Sequence, residues 1–175
     1  MYIPSDDSFL LSETAKQYNG RSALEIGVGS GIIARVLCEH FNIVVCTDIF
    51  FQSLRYCKYT LPKNVKIICC DAASAIHIKF DLIVSNPPYL PYDQENKNND
   101  SAVYGGPSGI ETTLHFLKST VGLLDRNGRI LIVLSTLSNQ SKLDNLLVEM
   151  NLEKKTIKER KIFYETLSVV EIHFK

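Results

Sequence analysis

The chain has 175 residues, 45% of them hydrophobic and 22% charged, which suits one domain, residues 1–175, with a substantial buried core. Its 19 Lys plus Arg balance 19 Asp plus Glu, and a zero net charge excludes affinity built on wholesale phosphate neutralisation, though not a local basic patch. No apolar run approaches the roughly 20 residues that cross a bilayer, and Met1 to Asp7 lacks the basic start of a secretion signal, so a cytoplasmic location is expected.

Cys38, Cys46, Cys57, Cys69 and Cys70 are odd in number, form no CxxC pair and mostly sit in apolar runs. They read as buried free thiols in a reducing compartment. The four histidines lack ligand spacing, so no metal site is expected.

In chain order, Ser5-Asp6-Asp7-Ser8 offers cap residues and first-turn acids for a helix over about Ser8 to Tyr18, closed by Asn19-Gly20. A short apolar strand, Ser22 to Ile26, runs into Glu25-Ile26-Gly27-Val28-Gly29-Ser30-Gly31, and Ile32, Ile33, Val36 and Leu37 then repeat at helical spacing. A strand, a glycine-rich turn and a helix begin a nucleotide-binding βαβ unit, because glycine permits close ligand approach and the helix start offers free N–H groups. Ile43 to Thr47 is a second buried strand ending in Asp48. A carboxylate there can accept from both ribose hydroxyls; capping the helix around Phe51 to Tyr59 is the other reading, and the two are compatible. Asn64 to Cys70 is a third strand, ending in Asp71-Ala72, whose polar group can reach a purine edge or cap the next segment.

The fourth strand ends in Asp81-Leu82-Ile83-Val84-Ser85-Asn86-Pro87-Pro88-Tyr89. Two prolines cannot continue a ladder, so the strand stops at Asn86 and leaves its amide outside the carboxyl end of the sheet, where open α/β sheets bind ligands. Leu90 to Asp100 reads as a polar, mobile loop, and Tyr104-Gly105-Gly106-Pro107-Ser108-Gly109 extends it. A helix over Ile110 to Leu124, closed by Asp125 to Gly128, precedes a fifth strand, Arg129 to Ser135. A helix over Leu143 to Met150 and a hairpin near Thr156 to Phe163 and Thr166 to Phe174 complete the chain. The expected fold is α/β and Rossmann-like: a mostly parallel seven-stranded sheet with a C-terminal antiparallel hairpin and helices on both faces.

Glu25 separates two classes of cofactor. Beside the glycine turn it would repel a pyrophosphate, but it could pair with an amino-acid ammonium, which favours S-adenosyl-L-methionine over a dinucleotide. The other reading of Glu25 is a strand residue bonded to nearby backbone N–H groups.

These pieces together resemble a class I S-adenosylmethionine-dependent methyltransferase. Within that class the chain is similar to the HemK-like release-factor glutamine N5-methyltransferases of archaea and eukaryotes. The resemblance rests on Tyr2-x-Pro4-x-Asp6-Asp7-Ser8-Phe9-Leu10-Leu11, the Glu25 to Gly31 turn, Thr47-Asp48, Asp71-Ala72, Asn86-Pro87-Pro88-Tyr89 and the Tyr104 to Gly109 segment. It implies that Glu25 holds the methionine ammonium, that Gly27 and Gly29 let the backbone close on the cofactor, and that Ser8, where that family has Thr, touches the methionine end. It implies Asp48 for the ribose and Asp71 with Ala72 for the adenine. Asn86 and the Pro87 carbonyl would accept the two N–H bonds of a substrate amide, with Pro88 and Tyr89 completing its site.

The implied acceptor is the Gly-Gly-Gln glutamine of a translation release factor. The same Asn-Pro-Pro-Tyr residues also serve enzymes that methylate exocyclic amines of adenine or guanine in DNA or RNA, which usually add a basic face or a reading domain. A cofactor-binding subunit without chemistry is a third reading. The resemblance further implies a small zinc-binding activator protein, docked by strand addition on the apolar edge Val65 to Cys70; self-association through that edge is the alternative.

Overall fold

A computed structural model describes residues 2–93 and 100–175. Helix α1 (Asp6–Ala15) begins with Asp6 and Asp7 in its first turn, where carboxylates meet the positive end of the helix dipole. It stops short of the expected Tyr18, because Gln17 N and Tyr18 N bond back to Thr14 O and Ala15 O and tighten the chain. Gly20 does not close this helix. It begins β1 (Gly20–Ile26), started by the Asp81 carboxylate accepting Arg21 N and Ser22 N, each at 2.8 Å.

Next come α2 (Ile32–His40), β2 (Phe41–Asp48), α3 (Phe51–Thr60), β3 (Val65–Cys69) and β4 (Phe80–Ser85). Short strands β5 (Leu90–Pro91) and β6 (Tyr104–Gly106) pair with each other, so the expected loop carries some ladder structure; its residues 94–99 lie outside the described ones. Then follow α4 (Glu111–Thr120), a 3-10 turn (Val121–Leu123), β7 (Leu124–Ser135), α5 (Ser141–Glu149), β8 (Leu152–Lys161) and β9 (Thr166–Phe174). Asp125 to Gly128 do not close a helix as expected. They are the irregular start of β7, where Phe80 pairs with Leu124 but Leu82 with Arg129, so the surplus residues bulge from the ladder.

The seven-stranded sheet has the order β3-β2-β1-β4-β7-β9-β8, with β9 antiparallel to both β7 and β8. One core face packs Leu10, Leu11, Leu37 and Leu54 from α1, α2 and α3; the other packs Leu117, Leu143 and Leu147 from α4 and α5. Strand order reverses between β1 and β4, so the crevice at the switch point opens above the glycine turn and Asn86. Cys46 and Cys57 are buried, but Cys69 is exposed, against expectation, because among the described residues β3 is a sheet edge with only β2 beside it. Among the described residues no helix is long and apolar enough to cross a membrane.

Candidate active site at the switch point

A cleft of about 1070 Å³ lies over the carboxyl ends of β1, β2 and β4. The glycine turn forms its floor. Gly27 N and Val28 N donate to Thr47 O at 2.9 and 3.0 Å, tying the turn to the end of β2. Gly27 has φ 75°, and a Cβ there would meet nothing within 4 Å, so the space above it is open to a ligand. Asp48 accepts Gly29 N at 3.0 Å on one oxygen and Phe50 N at 2.8 Å on the other. It braces the turn and the approach to α3; Phe50, not Asp48, occupies that helix's N-cap position.

Glu25 is 3% exposed and lines the cleft, yet among the described residues it has no cationic partner. Its nearest donors are the Cys46 thiol at 3.8 Å and the backbone of Ala34. Burial pushes its carboxyl well above the usual carboxylate range, and these hydrogen bonds offset only part of that. Such a group accommodates an arriving cation. Burial together with the Glu25 charge raises the Cys46 thiol as well, so that sulfur is no nucleophile.

At the far end of the cleft Asp71 pairs with His115 Nε2 of α4 at 2.9 Å. Ala72 beside it is buried at φ 46°, a left-handed conformation that costs an L-residue about 1 kcal/mol or more. Asp71, Ala72 and His115 all line the cleft. His115 and its neighbour Phe116 sit in this wall by tertiary packing of α4, which no spacing in the sequence announces.

Asn86 lies one residue past β4 and also lines the cleft. Its Nδ2 donates to Ser8 Oγ at 3.5 Å, while its Oδ1 is shielded from solvent and has no hydrogen-bond partner among the described residues. A buried carbonyl oxygen without a donor costs about 1–3 kcal/mol until one arrives. Tyr89 does not lie loose against the cleft. Its hydroxyl donates to Asp7 Oδ2 at 3.3 Å, and the same oxygen accepts Tyr2 OH at 2.8 Å. Burial, then the Asp7 charge, raise both phenols, so each remains a donor. Asp7, 2% exposed, was legible only as a first-turn acid; its place between Tyr2, Ser8 and Tyr89 comes from α1 folding back on the Asn-Pro-Pro-Tyr turn.

Behind that turn lies the Tyr104 to Gly109 segment. A Cβ on Gly105 would sit 2.2 Å from Pro88 O, and one on Gly109 2.4 Å from Tyr89 O. Glycine is what allows this close backbone stacking. Glu111 fastens the segment by accepting Ser108 N at 3.0 Å and Ser108 Oγ at 2.6 Å, with Lys142 Nζ 2.8 Å away.

The comparisons with known proteins agree with this architecture. Residues 5–164 match the methyltransferase small domain family. The chain belongs to that family. A relative from Methanocaldococcus jannaschii, named a protein N5-glutamine methyltransferase, is 28% identical over 97% of this chain and 90% of its own length. A release factor glutamine methyltransferase of Buchnera aphidicola is 38% identical over 50% of this chain, which spans only 35% of that relative. Among solved structures, the E. cuniculi Mtq2–Trm112 complex, described as responsible for methylation of the eRF1 translation termination factor, superposes with a TM-score of 0.81 at 21% identity, covering 99% of this chain and 98% of that one. The chain thus has a Rossmann-like methyltransferase fold.

Proposed function

We propose that this methyltransferase uses S-adenosyl-L-methionine to methylate the side-chain amide of the glutamine in a Gly-Gly-Gln motif of a translation termination factor. The observation that carries the reading is Asn86, which lines a cleft fit for a cofactor and whose Oδ1 is a buried acceptor without a donor among the described residues. The names of the relatives give the acceptor. The residues present fit the cofactor: a buried carboxyl without a cation at Glu25, open space at Gly27, and carboxylates at the ends of β2 and β3. Glu25 would hold the ammonium, with Ser8 at the methionine end. Asp48 would hold the ribose, and Asp71 with Ala72 the adenine. Gly29 keeps the turn open to it.

When bound, that cofactor supplies an electrophilic methyl group on a sulfonium sulfur. An amide nitrogen is a poor nucleophile, since its lone pair is delocalised into the carbonyl. Accepting its two N–H bonds at Asn86 Oδ1 and the Pro87 carbonyl turns the nitrogen toward the methyl and returns electron density to it. Pro87 and Pro88 stiffen these acceptors, and the Tyr89 ring borders the amide. Held this way, the nitrogen would take the methyl group that the cofactor supplies and would give up one proton to solvent. Placement of this kind supplies on the order of 7–11 kcal/mol of a barrier.

The edge of the sheet supports the partner reading. Among the described residues β3 pairs only with β2, and exposed Phe51 follows β2 beside it, next to Ile49 and Phe50 of the cleft rim. A small zinc-binding protein adding a strand along Val65 to Cys70 would cover an edge that otherwise invites association. The pairing of Mtq2 with Trm112 in the E. cuniculi complex supports a partner protein for this fold. Co-expression with such a partner should raise solubility and turnover together; a fully active monomer of the isolated chain contradicts this docking. Isotope transfer from labelled cofactor into release factor, beside DNA and RNA, tests the acceptor. Label in nucleic acid alone would replace glutamine with an exocyclic base amine, and label in neither would leave a cofactor-binding subunit.

A further inference from the structure

The two ends of an asparagine side chain are alike in shape, so only its hydrogen-bond partners decide which end faces which neighbour. For Asn86 that choice decides everything, because a substrate N–H needs an oxygen, and an NH₂ group in the same place would repel it. The neighbour is Ser8 Oγ, a hydroxyl that either donates or accepts. What fixes the hydroxyl is Asp7. Its Oδ1 accepts both Ser8 N and Ser8 Oγ, the latter at 3.1 Å, and its Oδ2 accepts the hydroxyls of Tyr2 and Tyr89. A carboxylate accepts and does not donate, so the Ser8 proton is committed to Asp7 and only a lone pair is left for Asn86. Nδ2 must then be the end that faces Ser8, and Oδ1 the end left without a donor, as the structure has it.

We infer that Asp7 is a positioning residue for the transfer: by committing the Ser8 hydroxyl proton it orients the Asn86 amide with its oxygen free for the substrate N–H. This rests on the methyltransferase reading above and extends it to a residue that touches neither cofactor nor substrate in that reading. At 3.5 Å the bond from Asn86 to Ser8 is long, and catalytic hydrogen bonds often tighten only once substrate binds. The network also explains why a carboxylate 2% exposed is kept at the start of α1: four donors converge on it.

Asp7→Ala removes the oxygen that accepts the Ser8 hydroxyl. The hydroxyl is then free to turn its proton to Asn86, and the amide reverses. The expected result is a loss in kcat of the order of 10²-fold, as for removal of one preorganised hydrogen-bonding group, with KM for release factor and the affinity for S-adenosyl-L-methionine within about threefold. Because the effect passes through Ser8, Asp7→Ala in a Ser8→Ala background should cost at most about twofold more than Ser8→Ala alone. Independent, additive losses would overturn the relay, as would a loss confined to KM. Should Asp7→Ala not fold, the wild type decides: with ¹⁵N-labelled asparagine, the Asn86 side-chain NH₂ protons should show cross-peaks to the Ser8 β protons, and their absence would overturn the assigned orientation. Lack of wild-type turnover on release factor would sink the acceptor assignment while leaving the orientation experiment able to report.

Discussion

Gly105→Ala is the change that most directly probes how the Asn-Pro-Pro-Tyr turn is held. The new Cβ would lie 2.2 Å from Pro88 O, 2.9 Å from Pro88 C and 2.7 Å from Gly109 O, all of them backbone atoms. Ordinary contact begins near 3.4 Å, so one side must retreat by about 1 Å. The glycine segment is the less free to move. Ser108 is bound to Glu111 and Lys142, and its carbonyl accepts Asn139 N at 3.0 Å. The displacement therefore falls on Pro88 and carries Asn86 and the Pro87 carbonyl with it. A misplacement of about 1 Å costs roughly 10²-fold in rate, or about 2.7 kcal/mol of barrier. Overpacking adds about 1–3 kcal/mol of lost stability, which lowers Tm by several degrees. Gly105 does not line the cleft, so calorimetric affinity for S-adenosyl-L-methionine should stay within about threefold. Gly122→Ala is the matching control, with nothing within 4 Å of its Cβ, and should leave kcat and Tm unchanged. A folded Gly105→Ala protein with wild-type kcat would refute the claim that this segment holds the motif.

Three further outcomes follow from the same geometry. Asn86→Ala should abolish transfer while cofactor affinity, read by calorimetry, largely survives; near-normal turnover would sink the role of Asn86. Glu25→Gln removes a buried charge: because the folded protein holds the Glu25 carboxyl above its unfolded value, stability without cofactor is fullest below the unfolded value and is lost as pH rises through the folded one. The amide should thus raise Tm at pH 8 yet weaken cofactor binding by about 10- to 100-fold, the worth of a hydrogen bond to charge; equal binding would deny it the ammonium. Glu111 is depressed from 4.5 to about 2, since hydrogen bonds from Lys142 and Ser108 outweigh burial, so its contribution is present above the unfolded value and vanishes as pH falls from about 4.5 to about 2. Glu111→Gln should cost on the order of 1–2 kcal/mol in urea unfolding at pH 7, after screening by solvent at this partly exposed group, and almost nothing at pH 2.

The sheet was legible because its buried strands are short apolar runs that end in chemistry: Glu25 just before the glycines, Asp48, Asp71 and Asn86. Local signals misled where tertiary pairing overrode them. Asp125 to Gly128 has turn composition but is drawn into β7 by its pairing with β4, and Gly20 starts a strand because Asp81 accepts its neighbours' N–H groups. Asp48 was legible as a polar strand end, yet its hold on Gly29 depends on the parallel pairing of β1 with β2. Asp7 and His115 could not be read as site residues from spacing, since each reaches its partner across a long chain separation, 82 residues to Tyr89 and 44 to Asp71. The glycines of the Tyr104 to Gly109 segment marked a turn in the sequence; only the fold shows that they make room for Pro88 and Tyr89.

The central claim is the glutamine acceptor, and mass spectrometry of the Gly-Gly-Gln peptide from release factor tests it most directly. After incubation with this protein, the small partner proposed above and S-adenosyl-L-methionine, the peptide should gain one methyl group on the glutamine side chain, and Asn86→Ala should leave it unmodified. An unmodified glutamine with the active wild type, alongside methylated adenine or guanine in added DNA or RNA, would contradict the account.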